Sequence, residues 1–144
     1  MAERANLVAD FCMAARNGDL NTMEECCFIR FVDFEATDPN GFRAIHHAAS
    51  MGHRHILEFL IQRLHVNANS YSRDGLTALH CACIANRLDL VKYLVQDCHC
   101  DLSVTTRDQD GLTPLDSAQV LGHTDVVRFL EQYLRETVSS NTGI

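Results

Sequence analysis

Three short segments of the chain share one arrangement of apolar and polar residues. They are Ile56–Leu60, Leu90–Leu94 and Val126–Leu130, and each has apolar residues at its first, second, fourth and fifth positions around a central charged residue. This spacing is that of a helix with one buried face. We therefore predict three equivalent helices that turn the same side toward a core.

A second pattern is repeated upstream of each of these helices. The segment 41–49 aligns with 75–83 at a shift of 34 positions, and 111–118 begins 36 positions after Gly75. A fainter copy lies at Ala14 and Ala15, which precede the matching alanines of the second copy by 34 positions. Self-similarity at this period is typical of proteins in which one helical unit is covered by the next.

These segments resemble the ankyrin repeat, a turn followed by two antiparallel helices. Gly111–Leu115 carries the Gly-x-Thr-Pro-Leu opening of that family, and Thr77–His80 keeps the pattern except for its proline. The Gly-His pairs at 52–53 and 122–123 match the pair between the two helices of the family's repeat. The resemblance implies an all-α solenoid of stacked helix–turn–helix units with protruding β-turn fingers.

The residues of each copy also suit the expected local structure. A glycine stands where a tight turn needs a positive φ, threonine is a good helix cap, and proline is tolerated in the first helical turn. Since one helix pair cannot bury its apolar face alone, at least three copies must stack, and the sequence offers four. We expect one domain over residues 1–136, with repeats at about 5–35, 36–69, 70–103 and 104–136, and a tail over 137–144.

The chain departs from the family pattern at three places. Between residues 60 and 69, and again between 94 and 103, it has one residue more than the family spacing. The glycine that ends the second helix is absent there, and we expect His65 and His99 to adopt the left-handed conformation in its place, because histidine tolerates it better than most residues. The turn over 104–110 is two residues longer still, so we expect this finger to project furthest.

Composition and charge narrow the class of protein. The chain has 144 residues, of which 47% are hydrophobic and 22% charged, so it is not an intrinsically disordered polymer. Its formal net charge of −7 disfavours nucleic acid as a partner. No apolar run approaches the length of a membrane span, and the first residues lack the pattern of a signal peptide. We expect an intracellular monomer, in the cytoplasm, the nucleus or both, with no membrane partner.

Seven cysteines and eight histidines raise the question of a metal or redox site. The clustered cysteines are Cys81, Cys83, Cys98 and Cys100. Two cysteines one residue apart on a helix point about 200° away from each other, which is poor geometry for shared ligation. Three of the four also align with alanine, leucine and valine of the preceding repeat, so we predict reduced thiols in core positions, with no cofactor and no bound metal. A metal- or redox-responsive regulatory domain is the alternative.

The sequence contains none of the common catalytic signatures. It has no Gly-x-Ser-x-Gly elbow, no phosphate-binding loop and no His-Glu-x-x-His motif. His46 and His80 fill the position of the family's structural histidine, whose ring is expected to bond the backbone of a turn. We therefore predict that the domain is not an enzyme.

The resemblance implies a binding surface on the concave face, built from finger tips and exposed positions of the first helices. Carried over by alignment, the candidate partner-binding residues are Phe42, Met51, Arg73, Asp74, Leu76, Ile84, Arg107, Asp110, Leu112 and Leu121. Phe42, Leu76 and Leu112 form an apolar ladder that is either exposed or partly tucked between repeats. We predict a protein–protein interaction module, a scaffold or adaptor, for a partner with basic patches around an apolar anchor. Alternatively, the chain is the recruiting domain of a longer protein.

Overall fold

The helices form four antiparallel pairs in a computed structural model that describes residues 2–107 and 109–141. Their bounds are α1 Ala2–Asn17, α2 Leu20–Phe28, α3 Ala44–Met51, α4 Arg54–Glu58, α5 Ala78–Ile84, α6 Leu88–Lys92, α7 Pro114–Leu121 and α8 Thr124–Asn141. Each odd-numbered helix packs on the helix that follows it, and the odd-numbered helices also pack on one another in order. The predicted all-α solenoid of stacked helical pairs is confirmed.

Helices α5 and α7 begin as the sequence predicts. The side-chain oxygen of Thr77 accepts the N–H of His80 at 3.3 Å, and that of Thr113 accepts the N–H of Asp116 at 3.1 Å. Pro114 occupies the first turn of α7, where its missing N–H costs nothing. These caps fix where the helices start, and so they fix the position of the turn that precedes each of them.

Two turn glycines let neighbouring fingers touch. Gly41 and Gly75 have φ values of +87° and +82°, and a Cβ atom at either position would lie 2.6 Å from Arg73 Cβ or 2.8 Å from Arg107 Cγ. The close approach brings the backbone N–H of Arg73 to 2.9 Å from the Gly41 oxygen, and that of Arg107 to 2.9 Å from the Asp74 oxygen. Consecutive fingers are therefore joined through their backbones.

The predicted structural histidines bridge consecutive repeats. Nδ1 of His80 accepts the N–H of Thr77 at 3.1 Å, and its Nε2 donates to the Leu112 oxygen at 2.9 Å. His46 makes the equivalent pair of bonds, and its Nε2 donates to the Ser70 oxygen at 3.2 Å. This pattern requires a neutral ring that carries its proton on Nε2. Burial stabilises the neutral form, because it lowers the pKa of His80 and lowers that of His46 to about 4.

The Gly-His pairs supply a second set of bonds between repeats. Nε2 of His53 donates to the Arg16 oxygen at 2.9 Å, and Nε2 of His123 donates to the Ile84 oxygen at 3.0 Å. In the third repeat Arg87 takes the histidine's place, and its Nε donates to the repeat before it at 3.2 Å. Helices α4, α6 and α8 are thus each bonded at their start to the end of the preceding repeat's first helix.

The extra residue in the second and third repeats is accommodated inside the outer helices. After α4 and α6 the chain continues as π-helical turns over Phe59–Arg63 and Tyr93–Asp97. A π turn contains one residue more than an α turn, so it absorbs an insertion without lengthening the loop. His65 and His99 follow with φ values of +57° and +54°, and their predicted left-handed conformation is confirmed.

The first repeat ends in the same way, at a residue that the sequence did not single out. Phe31 has a φ of +57°, and the N–H of Val32 donates to the Cys26 oxygen at 2.9 Å, which closes the end of α2. An aromatic residue rarely adopts this conformation, and nothing in the pattern of residues marks it.

The C-terminal helix extends beyond the expected domain boundary. Helix α8 runs through residues 137–141, where the sequence predicts a tail, because no glycine or proline stops it. Thr137 Oγ1 also bonds the Tyr133 oxygen one turn earlier. Residues 142–144 and Asp108, which belongs to the turn expected over 104–110, lie outside the described residues, and the further projection of that finger stays a prediction.

Replacing His99 by glycine should raise the free energy of unfolding by about 0.5–1 kcal/mol, because glycine adopts the left-handed conformation without steric cost. Asp97→Gly is the matched control, since Asp97 is exposed and helical, and it should lower the same quantity by a similar amount. Urea denaturation measures both. Equal destabilisation by the two substitutions would contradict the explanation.

Acid should destabilise the fold through His80. Its pKa is lowered in the folded state, so the unfolded chain takes up the proton first, near the ordinary value of about 6.5. The stabilisation is therefore complete above that pH and is lost as the pH falls through the folded value. Urea denaturation from pH 7.5 to 4.5 should show a smaller pH dependence for His80→Gln than for the unmodified chain. An identical pH dependence would refute the assignment.

Candidate partner-binding surface

Four apolar side chains are exposed where the stacked first helices end. Met51 is 42% exposed, Ile84 40%, Val120 71% and Leu121 50%. They occupy neighbouring register positions at the ends of α3, α5 and α7, which stack side by side, so they follow one another along one face. We call these four residues the apolar row. Exposed apolar side chains at the ends of neighbouring helices are typical of a site that binds another protein.

The predicted apolar ladder lies deeper than the apolar row. Phe42, Leu76 and Leu112 are half-buried, and Leu76 packs against the hydrophobic core. The ring of Phe42 meets the rings of His46 and His47 edge-on, at centroid distances of 6.2 Å and 5.9 Å. Of the two expected arrangements, the structure has the partly tucked one. The side chains of the ladder are therefore less accessible to a partner than those of the apolar row.

The arginines of the fingers are exposed but held in place. The guanidinium of Arg73 donates to the Pro39 oxygen of the preceding finger at 3.3 Å. The guanidinium carbon of Arg107 lies 4.4 Å from the centroid of the Tyr71 ring, a cation–π contact between successive repeats. Tyr71 is not singled out by the sequence, because its contact is with Arg107 of the next finger and not with a residue near it in sequence. The remaining charged candidates, Asp74 and Asp110, are exposed.

A small pocket opens beside Met51. Its volume is about 210 Å³. Its lining residues are Arg16, Phe42, His46, His47, Ser50 and Met51. The mixture of apolar, imidazole and guanidinium groups suits an apolar side chain of a partner that carries a hydrogen-bond acceptor at its edge.

The clustered cysteines lie in the interior, as predicted. All seven thiols of the chain are free, and Cys81, Cys83 and Cys100 are buried while Cys98 is half-buried. Burial raises the pKa of Cys81 to about 11 and those of Cys83 and Cys100 to about 12. A metal site needs at least three ligand atoms close together. Among the described residues, none of these four cysteines belongs to a group of three or more His, Cys, Asp or Glu side chains whose ligand atoms lie within 4.8 Å of one another. They behave as small apolar residues of the core.

The chain belongs to the ankyrin-repeat family. A family model described as ankyrin repeats in three copies matches residues 11–108 and 64–140. Domains of this family are generally non-catalytic, and they generally bind other proteins along the extended surface of the stack. In the part of the chain that the structure describes, no helix has the length and apolar character needed to cross a bilayer.

The curated relatives that match are much longer proteins. The mitochondrial liver isoform of glutaminase from Rattus norvegicus is 36% identical over 96 residues, which are 67% of this chain and 16% of that protein. The same isoform from Mus musculus is 33% identical over 96 residues. Palmitoyltransferase AKR1 from Debaryomyces hansenii is 52% identical over 40 residues, which are 28% of this chain and 5% of that protein. The chain thus spans less than a fifth of the length of each of these relatives.

The native protein should react slowly with thiol reagents at neutral pH, because the thiolate is the reactive species and burial raises the pKa of these thiols. Among the clustered cysteines, Cys98 should be modified first, since it is only half-buried. Alkylation with iodoacetamide over time, followed by peptide mass spectrometry, gives the order. Rapid modification of Cys83 in the folded chain would contradict its placement in the core.

Proposed function

We propose that this chain is a non-catalytic interaction module that binds a partner protein or peptide through its concave face and finger tips. The observation that carries the proposal is the apolar row, which leaves Met51, Ile84 and Leu121 accessible on adjoining helices. The small pocket beside Met51 offers a place for one anchoring side chain of the partner. A few side chains that fill such pockets contribute most of the binding energy of a protein interface.

The surface is ordered before the partner arrives. Backbone bonds at 2.9 Å join consecutive fingers, and the Arg107–Tyr71 contact holds a finger side chain in place. A surface that is already ordered loses little conformational entropy on binding, so more of the contact energy appears as affinity. Rigid presentation is the mechanism we propose.

The charge of the chain indicates the chemistry of the partner. The formal net charge is −7, and Asp74 and Asp110 are exposed on the fingers that border the concave face. A partner with basic patches around an apolar anchor is favoured by this field, and the phosphate backbone of a nucleic acid is repelled by it. We propose an intracellular monomer that acts as a scaffold or adaptor.

A second proposal is that the chain acts as the recruiting domain of a longer protein. It is favoured by the curated relatives, in which the similar segment is 16% or 5% of the whole protein. The metal- or redox-responsive alternative at Cys81, Cys83, Cys98 and Cys100 has less support, because burial raises the pKa of all four thiols and so disfavours the reactive thiolate.

The test replaces Met51, Ile84 and Leu121 together by glutamine. Affinity purification from the native cell with quantitative mass spectrometry should show partners that the unmodified chain retains and the triple variant loses. With the purified partner, Kd should rise at least tenfold, because the apolar contacts are removed while the stack keeps its core.

Ile29→Gln is the matched control, since Ile29 is also an exposed apolar residue but belongs to the end of the first repeat. It should keep the partner with unchanged affinity. Circular dichroism establishes that all three proteins are equally folded. Undiminished binding by the folded triple variant would refute the concave-face assignment.

A further inference from the structure

Three ligand-type side chains meet at the junction between the first and second repeats. They are Cys12 on α1, Asp38 in the first finger and His47 on α3. One ligand atom from each lies within 4.8 Å of the other two, and His47 Nε2 is 2.7 Å from Asp38 Oδ2. Among the described residues, no other group of three or more His, Cys, Asp and Glu side chains is this close.

The later junctions of the stack do not repeat this set. The equivalent positions carry His46, Ser72 and Cys81 at the second junction, and His80, Thr106 and Ser117 at the third. Those sets lack a carboxylate, and their histidines are occupied in backbone bonds. Packing of one repeat on the next therefore does not require the thiol, carboxylate and imidazole that the first junction brings together.

We propose that Cys12, Asp38 and His47 form a binding site for a divalent zinc ion, with a water molecule as the fourth ligand. A thiolate, an imidazole and a carboxylate are the donors that zinc accepts in proteins, and this mixture disfavours magnesium and calcium, which prefer oxygen alone. In a tetrahedral zinc site the ligand atoms are about 3.2–3.7 Å apart. The three ligand atoms lie within 4.8 Å of one another, so zinc binding would require side-chain adjustments to reach this spacing.

The carboxylate is already oriented for such a role. Asp38 Oδ1 accepts the backbone N–H groups of Asn40 and Phe42, each at 3.0 Å, which leaves Oδ2 directed at His47. Burial would raise the pKa of Asp38, but the bonds from Phe42 and His47 outweigh it and lower the pKa. The carboxylate is thus a charged ligand. The backbone bonds to Oδ1 fix the orientation of Oδ2, just as hydrogen bonds from surrounding groups orient the ligands of established metal sites.

The thiol is not set up for nucleophilic catalysis, and zinc would have to displace its proton. Burial, with a further contribution from Asp38, raises the pKa of Cys12 to about 12, so the neutral thiol predominates in the absence of a cation. When zinc binds, the thiol proton leaves to solvent and the His47–Asp38 hydrogen bond is replaced by two metal bonds. His47 Nε2 carries the proton of that hydrogen bond, so it must give the proton up to solvent, and the zinc-bound neutral imidazole holds its single proton on Nδ1.

An ion can approach from two sides. Asp38 lines a groove of about 650 Å³ between the start of α1 and the first finger, with Leu7, Val8 and Pro39. His47 lines the small pocket of about 210 Å³ on the concave face. The side chains of His47 and Asp38 are 19% and 10% exposed, while Cys12 is buried behind them. The open fourth position would therefore face the concave pocket or the groove.

The test titrates the purified, reduced chain with Zn²⁺ against a chromophoric chelator and separately with Co²⁺. The unmodified chain should bind one equivalent of zinc, and its cobalt complex should show a sulfur-to-metal charge-transfer band. Cys12→Ser should abolish that band, and both Cys12→Ser and His47→Gln should weaken zinc binding at least tenfold. Zinc should also raise the melting temperature of the unmodified chain, because the ion joins two repeats.

Cys81→Ser is the matched control, since Cys81 is a buried cysteine at the position of His47 in the next repeat. It should bind zinc as the unmodified chain does. The site is refuted if the unmodified chain binds no stoichiometric zinc, or if His47→Gln and Cys12→Ser bind it with undiminished affinity. His47→Gln alters a half-buried side chain, so it decides the question if Cys12→Ser does not fold. No partner is needed, so the outcome is independent of the proposed interaction function.

Discussion

Each helix pair of this chain is too small to cover its own apolar face, so every repeat depends on the surface of its neighbour. Ala48, Ala82 and Ala118 are fully buried between the stacked first helices, where a larger side chain would force the helices apart. The stability of the stack therefore resides mainly in the contacts between repeats. The pairing of neighbours, more than the preference of any one segment, makes this sequence fold.

The same dependence explains the ordered binding face. His46 and His80 use one ring nitrogen to cap their own helix and the other to hold the next repeat's backbone. His53 and His123 hold the preceding repeat. A buried imidazole with both nitrogens bonded has one favourable orientation, so these bonds set the distance between repeats as well as their attraction. The spacing between side chains on the concave face is therefore set by the same bonds.

Much of the fold could be predicted because its signals are local. The caps at Thr77 and Thr113 and the left-handed histidines each depend on residues within one repeat. The structure adds what depends on distances between repeats. Alignment could not tell that Leu76 packs inward, because it is one of several apolar residues at a repeated position that could equally face solvent.

The missed residues illustrate the same limit. Phe31 has a positive φ, which its residue type does not predict. The cluster at the first junction was visible only as a departure from the pattern, since Cys12 aligns with two histidines and Asp38 with a serine and a threonine. Its members come from two repeats, so no spacing along the chain brings them together.

The π turns after α4 and α6 have a consequence for how such a protein can change length. They lie in the outer helices, away from the fingers and the apolar row, and each takes up one added residue. Because the π turn takes up the added residue inside the helix, a chain that gains a residue there need not lengthen the loop that leads to the next finger. The outer helices are therefore places where evolution can insert or delete a residue without changing the residues that recognise a partner.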